Sequence, residues 1–551
     1  MSAAPDLPLK HHQASPPGTP VKTNNESNEA SAGDARGLPD TVTEAEASSD
    51  NHGSVLSDNN RNVEVAAVDA LQGFNMAGWI VTSYLVTYTG FLIIYSKLSD
   101  IFGCKLMLLL AITIFTVFSM ACGASDSMVP LIVFRAFQGM GGSGIYSLST
   151  IMVPLMVPPE KYATYISIMS STFILSSVLG PILGGAITDH TTWRWVFYFN
   201  GPGGALAAVL LAFSVPFNFP YGESDRFFHS LASKQMWKRV DFVGMAVSLA
   251  ASILIIFALE QGGVAYPWGS GAIVSTFVLS GVLWIAFVAW ERLLSKINGV
   301  REPMFPWSLV HNRFVMGLLL NGFFTGFPFM AALINIPQRF QTVNMTSAIN
   351  AGIRTLPLLL LSPLATAING ILVSKLGVPP LYTLFLGGSL QTIGVGLYSS
   401  LKSSTSIASA QYGYEAIMGL GFGFNLSTIL MMVPLLVTEK DLAVTMGSVT
   451  QIRVLGGTIG LAVCSALLIN HIKREAVKFL TAEQVAQILL SSENIGMLSP
   501  ETQSRTRALY ADAYSEQMRV MLYFSIASIL SLVLLVERQP RKAPTKAERA
   551  A

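Results

Sequence analysis

The sequence predicts an all-α polytopic membrane protein, and three observations carry that reading. Of its 551 residues 51% are hydrophobic and only 12% are charged, whereas a soluble domain of average composition carries about twice that charge. From residue 76 onward, apolar runs recur at or above the roughly 20 residues that a helix needs to cross hydrocarbon. Lysine and arginine concentrate in alternate short loops, the asymmetry that sets orientation across a bilayer. A mean hydropathy of +0.52 agrees with all three.

Residues 1–75 read as a disordered acidic N-terminal tail. Up to about residue 62 they are rich in Ser, Asn, Pro, Asp and Glu and hold too few large apolar side chains to bury a core. No basic cluster precedes an apolar core there, so no signal peptide is expected. The piece from Val63 to Phe74 carries Glu64 and Asp69 and is too short to span.

The apolar runs then follow at 76–96, 106–124, 129–157, 162–187, 195–217, 240–260, 270–290, 314–336, 350–373, 380–401, 413–437, 445–469 and 519–536. That makes about thirteen transmembrane helices, all helical because lipid leaves backbone polar groups no other partners. One set of alternate loops holds Lys97, Lys105, Lys161, Arg239, Arg292 and Lys440, and the C-terminal tail on that side adds Arg538, Arg541 and Lys542. The opposite short loops offer Arg194, Arg339 and Lys402. The first set is therefore cytoplasmic, and the odd count puts the two termini on opposite sides.

Two features fit the outer side. Asn344-Met345-Thr346 is a glycosylation sequon in a predicted outer loop, and Asn25 begins a second, useful only if the tail is exported. The stretch 471–518 contains Thr481-Ala-Glu-Gln484 ahead of Val485, Ile488 and Leu489, a capping box opening a short amphipathic helix that caps the bundle.

The chemistry-bearing stretch is Leu131 to Tyr146, which sets Arg135 inside a membrane-crossing run. A guanidinium at that depth costs several kcal/mol unless it faces a polar cavity or a partner, so Arg135 is expected to line a polar interior or to brace neighbouring helices. Gly139, Gly141, Gly142 and Gly144 follow it and allow another helix to approach. Asp100, beside Lys97 and Lys105 at a cytoplasmic helix end, can form charge pairs that differ between conformers, or can be a solvated loop carboxylate. Gly180-Pro181 inside a span removes a backbone hydrogen bond and kinks the helix.

Polar residues within the later spans are cavity candidates: Asn321, Asn335, Asn369, Gln391, Asn425 and Gln451, with Arg354 and Arg453. Such side chains also tie helices together at about 0.6 kcal/mol each. Phe323, Phe324, Phe327 and Phe329 around Pro328 suggest a flexible apolar wall or a lipid-facing surface. Glu260 and Glu415, near span ends, read as interfacial carboxylates rather than proton carriers.

Several classes fall away. A net charge of +2 with basic residues confined to loops leaves no nucleic-acid footprint. Cys104, Cys122 and Cys464 have no paired spacing, so neither disulfides nor a metal site is expected. No Ser/His/Asp set or dinucleotide fingerprint emerges, so no cofactor and no enzyme activity is expected.

Four motifs in order resemble the major facilitator superfamily. Ser96-Lys-Leu-Ser-Asp100-Ile-Phe-Gly103-Cys104-Lys105 resembles its cytoplasmic loop signature, and Arg135 with Gln138-Gly139 resembles its next motif. Gly180-Pro181-Ile-Leu-Gly184-Gly185 resembles the motif associated with antiporters. Trp193-Arg194-Trp195 through Asn200-Gly-Pro202 resembles a signature of the fourteen-span drug:proton antiporter branch common in fungi, and the segments around Arg354 and Arg453 look similar. The chain departs from the pattern at Ser96, where glycine is favoured, and at Cys104, where a basic residue is favoured. The family's first span has no counterpart here.

The resemblance implies a two-bundle fold: an N-terminal bundle over 76–217 with five spans visible, a linker with two extra spans over 218–313, a C-terminal bundle over 314–538 and a basic tail over 539–551. It implies proton-coupled efflux of a drug, toxin or secondary metabolite by alternating access, with Arg135, Gln138, Gly139, Asp100, Gly180, Pro181 and Gly184 as transport or coupling residues. The implied partners are a small-molecule substrate, protons and the lipid bilayer, with a monomer in the cell membrane, or alternatively the vacuolar membrane. A siderophore or amino-acid carrier of the same superfamily, or a truncated protein that does not transport, are the competing readings.

Overall fold

In a computed structural model of the protein, the described residues are 77–158, 191–216, 234–263, 266–297, 299–401, 405–490 and 492–542, with residues 71 and 219 and scattered positions between 161 and 190. The tail 1–75 apart from Leu71, the sequon Asn25, residue Pro181, the loop residue Lys402 and most of the run 162–187 lie outside them. Among the described residues there is no strand; an isolated bridge joins Gly262 to Tyr266.

Ten helices among the described residues are long and apolar enough to cross a membrane. The first half contributes α1 (Ala77–Phe102), α2 (Cys104–Gly123), α3 (Met128–Met156) and α4 (Arg194–Ser214). Two more follow, α5 (Phe242–Gln261) and α6 (Gly271–Ile297). The second half contributes α7 (Arg313–Thr342), α8 (Leu356–Ser374), α9 (Pro380–Ser399), α10 (Ala410–Leu436), α11 (Glu439–Ala476), the short α12 (Ala482–Leu490) and α13 (Pro500–Ser531). Of these thirteen, α12 is too short to span, and α3 and α9, at 29 and 20 residues, have spanning length but are less apolar and stand outside the ten.

Small residues fix how these helices meet. Gly103, at φ +93°, is the single residue between α1 and α2 and takes a conformation that side chains with a Cβ avoid. Gly139 of α3 lies against the Tyr84 carbonyl and Thr87 of α1, so closely that a Cβ would overlap both. Thr87 Oγ1 donates back to the Ala136 carbonyl at 2.7 Å, joining the two helices at that crossing. On the outside, α4 and α6 present Phe213, Leu206, Ile285 and Val278 outward, the apolar surface that a lipid-facing helix requires.

The stretch 471–518, expected on the outer side, is built mostly from long helices. Helix α11 continues past its apolar part to Ala476, and α13 begins at Pro500, well ahead of its own apolar run. Their extensions enclose Ile472, Leu480, Val485, Ile488, Ile495 and Tyr510, a separate apolar cluster above the spans. Hydropathy marks only the part of a helix that meets lipid; these continuations are held by packing on one another. The predicted capping box is present: Gln484 N donates to Thr481 Oγ1 at 3.3 Å and Thr481 N donates to Gln484 Oε1 at 3.1 Å.

Candidate functional site

A cavity of about 810 Å³ lies between the two groups of helices. One wall comes from α1 and α3 with Phe115 of α2 and Met169, Thr172 and Ser176 of the run 162–187, and the other from α7, α8, α10 and α11. Its volume falls within the range of about 300–1,000 Å³ typical of small-molecule sites. The lining is mainly aromatic, methionine and aliphatic, with Tyr84, Tyr88 and Tyr146 on one side and Phe329, Met330 and Phe422 on the other. Arg453 is the cation in this lining, and none of the described lining residues is acidic.

Arg453 reaches across the cavity. Its guanidinium donates to the Tyr146 hydroxyl at 2.7 Å, joining α11 to α3 over a separation of 307 residues. Tyr146 also stands against Tyr88, ring centroids 6.4 Å apart, and Tyr88 against Tyr84 at 5.8 Å. A ladder of three phenols therefore runs up one wall from the guanidinium.

Arg135 is not part of this lining. Its Nε donates to the Ile80 carbonyl of α1 at 3.1 Å and a terminal nitrogen donates to Gln138 Oε1 at 2.8 Å. The guanidinium covers the Tyr84 ring at 4.5 Å and faces Phe197 at 5.7 Å, contacts that suit a delocalised cation in a low-dielectric site. Gln138 is buried and donates to Ser119 Oγ of α2 at 3.0 Å. Arg135 and Gln138 thus join α1, α2 and α3 behind Tyr84, which belongs to the cavity wall.

The other polar candidates are placed between helices of the second half. Asn369 of α8 donates to Ser427 Oγ and Thr428 Oγ1 of α10 at 2.7 and 2.8 Å. Asn425 of α10 donates to Gln391 Oε1 of α9 at 2.7 Å, and Gln391 in turn donates to Ser525 of α13 at 3.4 Å. Asn321 of α7 donates to the Ser528 carbonyl of α13 at 2.9 Å. Asn335 and Gln451 are buried and, with these four, stand apart from the cavity lining. Of the four phenylalanines, Phe329 lines the cavity and Phe327 stacks on Phe524 at 3.9 Å. Arg354 donates to the Tyr412 hydroxyl.

Glu415, expected at the membrane interface, is fully buried and accepts from Gln411 at 3.4 Å. It lies one turn inside α10, where its neighbours cover it. The side chain of Glu260 lies outside the described residues. Gly180 is exposed, and among the described residues nothing stands where a Cβ on it would point; Gly184 is buried. At the predicted outer sequon, Asn344 donates its amide to the Thr405 carbonyl at 2.9 Å.

At the end of α1 that the sequence expects to be cytoplasmic, Asp100 faces Lys97, Glu302, Asp441 and Arg239 and makes no ion pair with any described residue. Lys97 pairs instead with Glu302 at 2.9 Å, and Arg239 closes on the other oxygen of Glu302 at 2.6 Å. Lys105 turns away and donates to the carbonyls of Ala212, in the last turn of α4, and of Val215, just past its end. Burial raises the pKa of Glu302, but its bonds and charge attraction to Lys97 and Arg239 outweigh that, so it sits below the ordinary glutamate value. Beside this clamp the buried Glu291 of α6 accepts from the amides of Met304 and Phe305 at 3.3 and 3.1 Å, pinning the strand of loop that leads into α7.

Sequence reasoning passed over the three tyrosines and Glu302. Tyr84 and Tyr88 share one helix face at a spacing of four residues, and Tyr146 closes the glycine-rich run; that spacing was the available signal.

Comparison with known proteins bears on this architecture. The profile of the Major Facilitator Superfamily matches residues 62–461. The MFS-type transporter FPY5 of Fusarium mangiferae is 88% identical over 596 aligned positions, with 100% of each chain covered. The efflux pump aunC of Aspergillus niger is 31% identical, covering 85% of this chain and 86% of that one. Among solved structures, the proton:xylose symporter XylE bound to 6-bromo-6-deoxy-D-glucose superimposes with a TM-score of 0.50, covering 89% of this chain and 94% of that one. At 14% identity that likeness shows a common fold alone.

Proposed function

Because the chain belongs to the major facilitator superfamily, we propose that it exports a small organic molecule by alternating access and that proton movement drives the export. Its family makes it a multi-pass membrane transporter rather than an enzyme. The observation that carries the reading is the cavity between two helix groups, walled by both and bridged by Arg453 and Tyr146. Rocking of one group against the other exposes such a space to each side of the membrane in turn. The outward direction is supported by the kinship with an efflux pump.

Protons as the coupling ion are supported by the antiporter-like run from Gly180 to Gly184 and by Asp100, which stands unpaired among the cytoplasmic charges. In everted membrane vesicles carrying the protein, a lumen-acid gradient is expected to drive accumulation of a labelled organic solute. Accumulation indifferent to the gradient would overturn proton coupling. No accumulation beyond that of vesicles lacking the protein would overturn transport itself. Imaging of a fluorescently tagged chain tests the proposed location in the cell membrane, and sizing in nanodiscs tests the monomer.

A missing first span is supported by the alignment with FPY5. It runs over 596 positions against the 551 residues here, a difference of 45 positions. That difference is large enough to hold one helix of about 20 residues with its flanking loops. Genomic sequence upstream of the Gly73 codon tests this: an in-frame apolar stretch with an embedded Asp supports it, and its absence counts against it.

A further inference from the structure

We infer that the cavity accepts organic acids: bulky, largely apolar molecules whose single anionic group, a carboxylate, sulfonate or acidic enol, sits on Arg453 in place of the Tyr146 hydroxyl. The inference rests on the reading that this cavity is the substrate site, and adds the charge and the anchoring residue.

Three observations carry it. The described lining contains a guanidinium and no carboxylate, so an organic cation would meet uncompensated repulsion in a medium of low dielectric. A guanidinium offers five N–H donors, yet among the described residues Arg453 makes one side-chain hydrogen bond, to the neutral phenol of Tyr146, and takes part in no ion pair. A cation held within a span by a neutral partner retains a large part of its desolvation cost, and an anion in planar, bidentate contact removes it. Most of the remaining surface of the cavity, including Phe329, Phe422, Met330, Met446 and the tyrosine ladder, suits a large aromatic or aliphatic body, because methionine and aromatic walls adapt to shape, while serine and threonine hydroxyls such as Ser149 and Ser362 leave room for polar substituents.

The same geometry links binding to movement. The Arg453–Tyr146 bond joins α11 of one helix group to α3 of the other. An anion that takes over the guanidinium releases Tyr146, removing one cross-group hydrogen bond when the substrate is seated. An empty carrier is thereby held by a bond that a loaded carrier lacks, which is the differential contact a two-state transporter requires.

The test uses the full-length protein in nanodiscs and two probes with one aromatic frame: 8-anilinonaphthalene-1-sulfonate, an anion, and N-phenyl-1-naphthylamine, its neutral counterpart. Both brighten in apolar sites, and the signal of empty nanodiscs is subtracted. Arg453→Gln is expected to weaken the sulfonate by about tenfold or more, the loss of a charge-assisted hydrogen bond, while the neutral probe binds wild type and variant alike. Arg453→Lys is expected to retain part of the preference, and Tyr146→Phe to bind the sulfonate as tightly as wild type or tighter. Saturable binding of both probes with equal affinity in wild type and Arg453→Gln would overturn the anion site and leave the cavity standing. Equal weakening of both probes in Arg453→Gln would make the arginine structural and overturn the proposal. Absence of saturable binding by either probe would overturn the cavity reading and the proposal with it.

Discussion

Ser96 of α1 and Gly447 of α11 meet where the two helix groups cross, and the gap between the helices holds the one hydroxymethyl group and nothing more. A Cβ on Gly447 would overlap Ser96 Oγ and lie 2.6 Å from its Cβ. The serine cannot turn aside, because its hydroxyl donates to the Leu92 carbonyl at 3.0 Å and lies 2.8 Å from Ser147 Oγ. Ser96 stands where the resembled loop signature favours glycine, and the small residue is supplied from the opposite helix.

Gly447→Ala is therefore expected to cost about 1–3 kcal/mol by overpacking and to slow transport. The double variant Ser96→Gly with Gly447→Ala is expected to recover most of both. Melting temperature and transport rate across the four proteins of the cycle check this; additive losses would show that the two residues do not compete for one space.

The clamp of Lys97, Glu302 and Arg239 predicts a pH dependence with a definite sign. The glutamate pKa is depressed in the folded protein, so its stabilisation is fully present above the unfolded carboxylate value and is lost as pH falls through the folded one. Melting temperature is expected to hold from neutral pH down to about 5 and to drop below about 4. Glu302→Gln is expected to melt lower at neutral pH and to show a smaller acid drop. Glu302→Ala takes from the buried Lys97 its ion-pair partner and is expected to cost about 3 kcal/mol.

Asn369 tests whether the second-half amides hold helices or substrate. With both of its donor hydrogens on Ser427 and Thr428, Asn369→Ala is expected to cost about 1 kcal/mol of stability and to leave the KM for an exported substrate unchanged. Transport kinetics beside a thermal melt read both quantities from one preparation.

Thr481→Ala removes half of the capping box above the spans. It is expected to cost about 1 kcal/mol locally and to speed amide exchange in α12 while leaving α1 and α3 unchanged. Hydrogen-exchange mass spectrometry resolves the two regions.

By itself the sequence determined what depends on neighbours in the chain. Runs of apolar side chains marked the spans because spanning length is a property of one segment. Thr481 and Gln484 announced their cap from a spacing of three residues. The family was legible because its motifs are short contiguous strings. Only the tertiary structure decided which polar side chains face the hollow. A helix enclosed on most sides has polar residues on several faces, and nothing within it tells which face meets a neighbour and which meets a space. Asn321, Asn369, Gln391 and Asn425 therefore read the same as Arg453 in sequence, yet four of them tie helices and one lines the cavity. The contact that matters most, Arg453 on Tyr146, spans 307 residues, a distance across which the fold alone sets what touches what.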